Sequence, residues 1–547
     1  MPAFLWVLII EPMPPFQTDI FKMKNIPKDG LAGLKENYAS DAASGFIVFL
    51  LALPLSLGIA KASDFPPIMG LLTAIIGGIV VSLFSGSRLT IKGPAAGLIV
   101  IVAGAVAEFG GGEQGWHLAL GAMVIAGLVQ ILFGVFKLGK LMDFFPLSAV
   151  HGMLAAIGLI IIGKQIPVFL DVNPILAKGK EPLELFASIP EFIANWDPKA
   201  TLIGAISLVI MMGWPYIKNP LIKKIPAPLV VLAIAIPAEL IMDFQTTEPG
   251  YALVHIGNLV DNIKLNASFD GFNQTGTFIK FVIMFALVGT LESLLTVKAM
   301  DMLDPYKRKS DANKDLIATG IGNTLVAFLG GLPMISEVAR SSANIANGAK
   351  TRWANFFHGF FILVFVLLAA HLIELIPNTA LAAMLITVGI KLTHPKEFIH
   401  TLEKGKEQLL IFLVTIIFTL GVDLLVGIGA GILTEILVNL YNGKPLKAIF
   451  SAPTEVSFTD DAYLVEISDA AVFTNYLGIK RKLEAIPTGF NVTIDLSKTH
   501  LVDHSVMENF EHFKLDYERD GGTVTLIGLD SHKSLSGHKA AAMKRKK

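Results

Sequence analysis

Two short stretches decide how this chain reads: Ser87-Arg88-Leu89-Thr90-Ile91-Lys92-Gly93-Pro94-Ala95-Ala96-Gly97 and Gly330-Gly331-Leu332-Pro333-Met334-Ile335-Ser336-Glu337-Val338-Ala339-Arg340-Ser341-Ser342. Each runs from an extended Gly/Pro passage into a brief helix-like run. Pro94 suits the first helical position and Ser336 suits an N-cap. A helix that starts inside a bilayer leaves its first N–H groups unpaired and carries about half a positive charge at that end. Two such starts facing one another make an anion site without a full cation. Gly93, Ala95, Ala96 and Ala339 are small enough to let a ligand approach the backbone. The same residues also read as two proline-kinked spans packed through small side chains.

The setting of these stretches is a membrane. Of 547 residues, 53% are hydrophobic and 16% charged, against roughly 25% charged in soluble domains. Apolar runs mark fourteen segments, at 42–60, 67–84, 93–107, 117–136, 147–162, 200–214, 227–242, 278–297, 316–329, 336–347, 356–376, 379–392, 409–421 and 424–440. The interrupted stretches are the third and the tenth, which hold matching places in two sets of seven. Interrupted segments at corresponding positions are the sequence pointer to a transporter site. The expected divisions are an N-terminal tail over 1–30, a membrane transport domain over 31–442 and a small cytoplasmic domain over 453–540. Residues 1–22 make a poor signal peptide, and Met23-Lys24-Asn25 reads as an alternative start.

Charge sets the expected orientation. Arg88/Lys92, Lys137/Lys140, Lys218/Lys223/Lys224, Lys307/Arg308/Lys309/Lys314, Lys350/Arg352 and Lys391/Lys396/Lys404/Lys406 all fall on one side if both termini are cytoplasmic, as the positive-inside rule requires. The net charge is -1, with 44 Lys+Arg against 45 Asp+Glu, so no global basic field points to nucleic acid. Cysteine is absent from the sequence, which excludes disulfides, thiolate metal sites and thiol catalysis. No P-loop, GxGxxG or metal-spaced histidine cluster is present, which argues against an ATP-driven pump and a conventional enzyme, and no cofactor is expected.

Few charges lie within the spans. Glu292 sits mid-segment with Thr296 four residues on, on the same helix face. An intramembrane carboxylate marks an ion or proton pathway: it can carry a proton, or hold a sodium ion with Thr296 and backbone carbonyls. The structural alternative is an ion pair with Arg340. Glu337 and Arg340, at i and i+3, can pair with each other. Ser56, after the Leu53-Pro54 kink, is a candidate pocket hydroxyl, although bonding back to its own helix competes. His151 reads as a packing residue. From about Thr454 the order is strand 463–467, helix 475–485, strand 491–496, helix 504–519 and strand 523–529, an α/β pattern with a parallel sheet. The closing Lys544-Arg545-Lys546-Lys547 reads as a solvated basic terminus.

Together these features resemble the SulP family of sulfate permease-type anion transporters. The residues that carry the resemblance are Asp41–Ala60 with Ala52-Leu53-Pro54-Leu55, Gly93-Pro94-Ala95-Ala96, Leu291-Glu292-Ser293-Leu294-Leu295, and Gly331-Leu332-Pro333 followed by Ala339-Arg340-Ser341-Ser342-Ala343-Asn344. Ile494-Asp495-Leu496-Ser497 and Val502-Asp503-His504-Ser505 are similar to a STAS domain, with Ser505 at the position phosphorylated in soluble STAS proteins, though its flanking residues differ.

The resemblance implies a mostly α-helical polytopic fold of seven-plus-seven inverted repeats with two half-helices. It also implies core and gate domains moving against each other, and a homodimer in the lipid bilayer of a bacterial inner (plasma) membrane. It places an inorganic anion (sulfate or bicarbonate) at Gly93, Pro94, Ala95, Ala96, Ser336, Glu337, Val338, Ala339 and Ser56. Glu292 and Thr296 would serve a coupling H+ or Na+, and Arg340 would be a charge partner. Val338, where relatives carry small or Thr-rich residues, cannot offer sodium a hydroxyl, and Glu337 adds a negative charge; a proton fits the glutamate pair better. An uncoupled exchanger or channel of the same fold, a dicarboxylate or nucleobase carrier, and a sensor with the tail as output are the competing readings.

Overall fold

The structure, a computed structural model, describes residues 26–139, 145–219, 222, 225–247, 252–257, 259–442, 451–459 and 461–546. The alternative start at Met23 lies outside these residues. Each of the fourteen expected segments contains a helix. The first set is α1 Gly30–Ala62, α2 Pro67–Ile79, strand β1 Ile91–Pro94 leading into α3 Ile99–Glu108, α4 Gly112–Val135, α5 Leu147–Phe169, α6 Pro198–Gly213 and α7 Ala227–Met242. The second is α8 Thr275–Leu303, α9 Ala312–Phe328, strand β2 Met334–Glu337 leading into α10 Val338–Ala346, α11 Trp353–Ile373, α12 Asn378–Leu392, α13 Lys406–Gly421 and α14 Leu424–Tyr441. Among the described residues, seven helices are long and apolar enough to cross a membrane, by length and composition. Val209, Ile241, Leu368 and Ile417 present bare apolar side chains outward, as a hydrocarbon solvent permits and water does not.

The chain divides into two compact units. The first comprises the described residues up to Gly139 together with Ile157–Leu392. Small residues bring its helices close: a Cβ on Gly78 of α2 would fall 2.6 Å from the Cα of Gly359 of α11, the kind of packing that dispersion alone can drive in lipid. The second comprises residues 145–156 and Thr393 onward. It joins α13, α14 and the amphipathic helix Pro395–Lys404 to the C-terminal strands.

There β3 Thr454–Thr459, β4 Ala462–Ile467, β6 Asn491–Asp495 and β8 Thr523–Ile527 form a sheet in the order β3-β4-β6-β8, parallel except for the β3–β4 hairpin. Helices α15 Phe473–Glu484 and α16 His504–Arg519 accompany it. The expected strands and helices are all present. A second sheet, ordered β5-β7-β10-β9 from β5 Asp469–Ala471, β7 Thr499–Val502, β9 His532–Ser534 and β10 Met543–Arg545, is additional. Its last strand lies in the basic terminus: Met543 and Lys544 pair with Val502 and Leu501, because β7 offers an edge that lysine-rich chain can still hydrogen-bond, while Arg545 and Lys546 stay exposed. Ser505 is 2% exposed and accepts from Leu147 N at 3.3 Å.

Candidate functional site

The two interrupted stretches meet. β1 and β2 pair antiparallel in the register Ile91↔Glu337, Lys92↔Ser336, Gly93↔Ile335 and Pro94↔Met334. Proline and glycine explain why helix fails here. Pro94 has no N–H to continue a ladder, and Gly330 ends the approach to β2 with φ +98, open to glycine. In a bilayer every freed backbone group needs a partner, and side chains supply them. Asn323 brackets Met334, accepting from its N–H at 2.7 Å and donating to its carbonyl at 3.1 Å. Ser341 Oγ accepts from Ile91 N at 2.9 Å, and Asn344 Nδ2 donates to Leu89 O at 2.9 Å. Ser293 Oγ accepts from Ser336 N at 3.2 Å.

Two groups of donors are left out of this accounting. α1, α6, α9 and α14 each begin on an aspartate whose carboxylate caps the helix. Neither α10 nor the short turn Ala96–Leu98 that opens α3 has a cap from its own N-cap side chain. Both helices are about 15 Å long or less at 1.5 Å per residue, half a hydrocarbon core, too short to cross it alone. The register starts them from opposite ends of a ladder about 10 Å long, and side chains close the interval. Glu337 Oε1 accepts from Ala96 N at 3.4 Å. The carboxylate of Glu292 lies where a Cβ on Gly97 would stand, and Arg340 Nη1 where a Cβ on Gly93 would stand. Arg340 is 0% exposed, and none of its three guanidinium nitrogens has a hydrogen-bond partner among the described residues.

Several expectations change at this point. Pro94 ends β1, and helix begins after Ala95. Ser336 lies in β2 and caps nothing; the N-cap of α10 is Glu337, since an extended Ser336 is needed to complete the ladder. Arg340 forms an ion pair with neither Glu292 nor Glu337 among the described residues; it reaches back along its helix toward β1, the direction helical side chains take. Ser56 does not bond back to its helix: its Oγ is buried without a hydrogen-bond partner among the described residues, and its carbonyl packs on Gly70 of α2. Thr296 is buried on α8, Val338 is half-buried and Ala339 is exposed.

Two residues were misread or missed. Lys92 is not a loop charge. It is 0% exposed, and its Nζ donates to Asp315 Oδ2 at 2.5 Å and to Ser336 Oγ at 2.5 Å. Its apolar neighbours Ile91 and Gly93-Pro94 were the available signal. His358 of α11 is buried with neither ring nitrogen hydrogen-bonded among the described residues, and it lies within electrostatic reach of Arg340; nothing in its sequence context marks it.

The chain is similar to known proteins. Residues 38–415 match the Sulfate permease family. The Bicarbonate transporter BicA of Picosynechococcus sp. (strain ATCC 27264 / PCC 7002 / PR-6) is 26% identical over 404 residues, 72% of this chain and 69% of that protein. Sulfate transporter 4.1, chloroplastic, of Arabidopsis thaliana is 22% identical over 516 residues, 88% of this chain and 74% of that protein. The solved structure of SLC26A9 superposes with a TM-score of 0.66 at 14% identity, covering 90% of this chain and 85% of that one, which speaks to the fold alone. These relatives are transporters, not enzymes. With more than half of its length matched, and with paired half-helices at the heart of a mostly helical membrane fold, this chain belongs to the sulfate permease family of anion transporters.

Proposed function

We propose that the chain is a secondary active transporter of a small inorganic oxyanion, sulfate or bicarbonate, bound where β1 and β2 lead into α3 and α10. One observation carries this: a fully buried guanidinium without a partner beside two helix starts that their own sequences leave uncapped. A buried arginine left unpaired is costly, and an oxyanion satisfies the fork and the orphan N–H groups together. Glu337, Val338 and Ala339 are the less buried residues at this point, on the side from which a solute would enter.

Coupling to a proton follows from charge. With Glu292 and Glu337 both ionised, Arg340 leaves the site with a net charge near −1; with both protonated it is near +1. An anion binds the second state better, so anion and proton load together. Sodium is the second candidate ion, with Glu292 and Thr296 as its ligands. Core and gate parts moving against each other would alternate access. We also read both termini as cytoplasmic, residues 453–540 as a STAS-like domain, and the assembly as a homodimer.

The test is uptake of radiolabelled sulfate and bicarbonate into proteoliposomes under imposed proton or sodium gradients. Glu292→Gln is expected to lose gradient-driven uptake while keeping anion exchange. Full gradient-driven uptake in that variant would dismiss the coupling role, and anion flux at channel-like rates without a cation gradient would favour a passive pathway.

A further inference from the structure

The free end of α3 is occupied by the protein itself. Glu337 belongs to β2 and α10, yet its Oε1 accepts from Ala96 N at 3.4 Å, in the opening turn of the other half-helix. A carboxylate at a helix start offers what a transported oxyanion would also offer: negative charge carried on oxygens that accept hydrogen bonds. No neighbouring cation hydrogen-bonds it among the described residues. Arg340, three residues on, attracts it by charge but forms no ion pair with it there and leaves all three nitrogens without a hydrogen-bond partner. Lys92 of β1 is taken by Asp315 of α9. Glu292 of α8 faces the same turn through Gly97 and acts on Glu337 by charge. His358 of α11 stands toward Arg340.

We propose that Glu337 is a tethered anion, which holds the start of α3 while the site is empty and is displaced when a solute anion binds. This rests on reading the β1–β2 junction as the anion site. Its consequence is specific. A tether lowers apparent affinity by the fraction of molecules in which it has swung away. It also prevents a bare, desolvated cradle from facing the membrane interior. Arg340 then receives the arriving anion, and Glu337 is released toward the more open face around Val338 and Ala339.

The experiment compares wild type, Glu337→Gln, Glu337→Asp and Arg340→Gln as full chains in proteoliposomes. Half-saturation for radiolabelled sulfate and for bicarbonate is measured with each, after each variant elutes as a single species. Glu337→Gln is expected to tighten half-saturation about tenfold, the equivalent of about 1.4 kcal/mol. Glu337→Asp, one methylene too short to reach Ala96 N, is expected to tighten it by a smaller factor while keeping the charge. Arg340→Gln is expected to weaken it. Unchanged or weaker binding in both Glu337 variants, with Arg340→Gln still weakened, overturns the tether and leaves the anion site standing. No effect in any of the three overturns both.

Discussion

Replacing Lys92 by methionine tests whether the junction is held by a buried ion pair. The Lys92 and Asp315 side chains are 0% and 1% exposed, with Nζ 2.5 Å from Oδ2. Asp315 also accepts from Ser85 Oγ at 2.6 Å and Ser87 N at 3.2 Å. Lys92→Met removes the cation and strands a carboxylate in the interior, a change that costs about 3–5 kcal/mol. Asp315→Asn alone strands the ammonium and costs a similar amount. The double variant restores neutrality, and its asparagine oxygen can still accept from Ser85 and Ser87. It is expected to recover most of the loss, giving a coupling energy of about 2 kcal/mol or more. Unfolding by SDS in mixed micelles, followed by the fluorescence of the five tryptophans, measures all four proteins. Uptake should fall with the single changes and return in part with the double, because Lys92 pairs opposite Ser336 in the ladder. Single variants as stable as wild type, or a double variant worse than either, would refute the reasoning.

Two further outcomes are expected. Gly97→Ala puts a methyl group on the Glu292 carboxylate and should abolish gradient-driven uptake while the protein still elutes as a single species; wild-type uptake would show that Glu292 does not sit on α3. In the second unit, the rings of His400 and His538 are 5.6 Å apart, and burial, then the charge of Lys404, lowers the pKa of both. Unfolded histidine takes up its proton at about 6.5, so the stability this pair contributes is present above that pH and is lost as pH falls toward the folded values. Replacing both by glutamine should flatten the fall of the unfolding midpoint as pH drops below about 6.5. An undiminished slope would remove the pair from the account.

Much of the fold was legible because the bilayer makes it so. Apolar run length locates helices, and Gly93-Pro94 and Gly331-Leu332-Pro333 announce that two of them are broken. In the tail, the sequence located β4, β6 and β8. It missed β3, an edge strand held by its hairpin to β4, and β5, β7, β9 and β10, each of three or four residues, which are too short to show a period and are held by their partners. The site was legible as a neighbourhood, less so as chemistry. Pro94 and Ser336 have the right types for helix starts, yet the pairing of β1 with β2 draws both into extended chain.

Charge is where sequence reasoning stopped. Lys92 looks like any lysine that flanks a span, and Arg340 looks like a partner for whichever glutamate is near. Composition and order alone determined that this chain lives in lipid, that it has two sets of seven segments, and that the third and tenth are interrupted. Only the tertiary structure decided that Lys92 is neutralised by Asp315, that Arg340 is left unpaired, and that Glu337 crosses to the other half-helix. The physical reason is range: hydrophobic burial and backbone hydrogen bonding act on neighbouring residues, whereas the partner of a buried charge is set by register between segments more than two hundred residues apart.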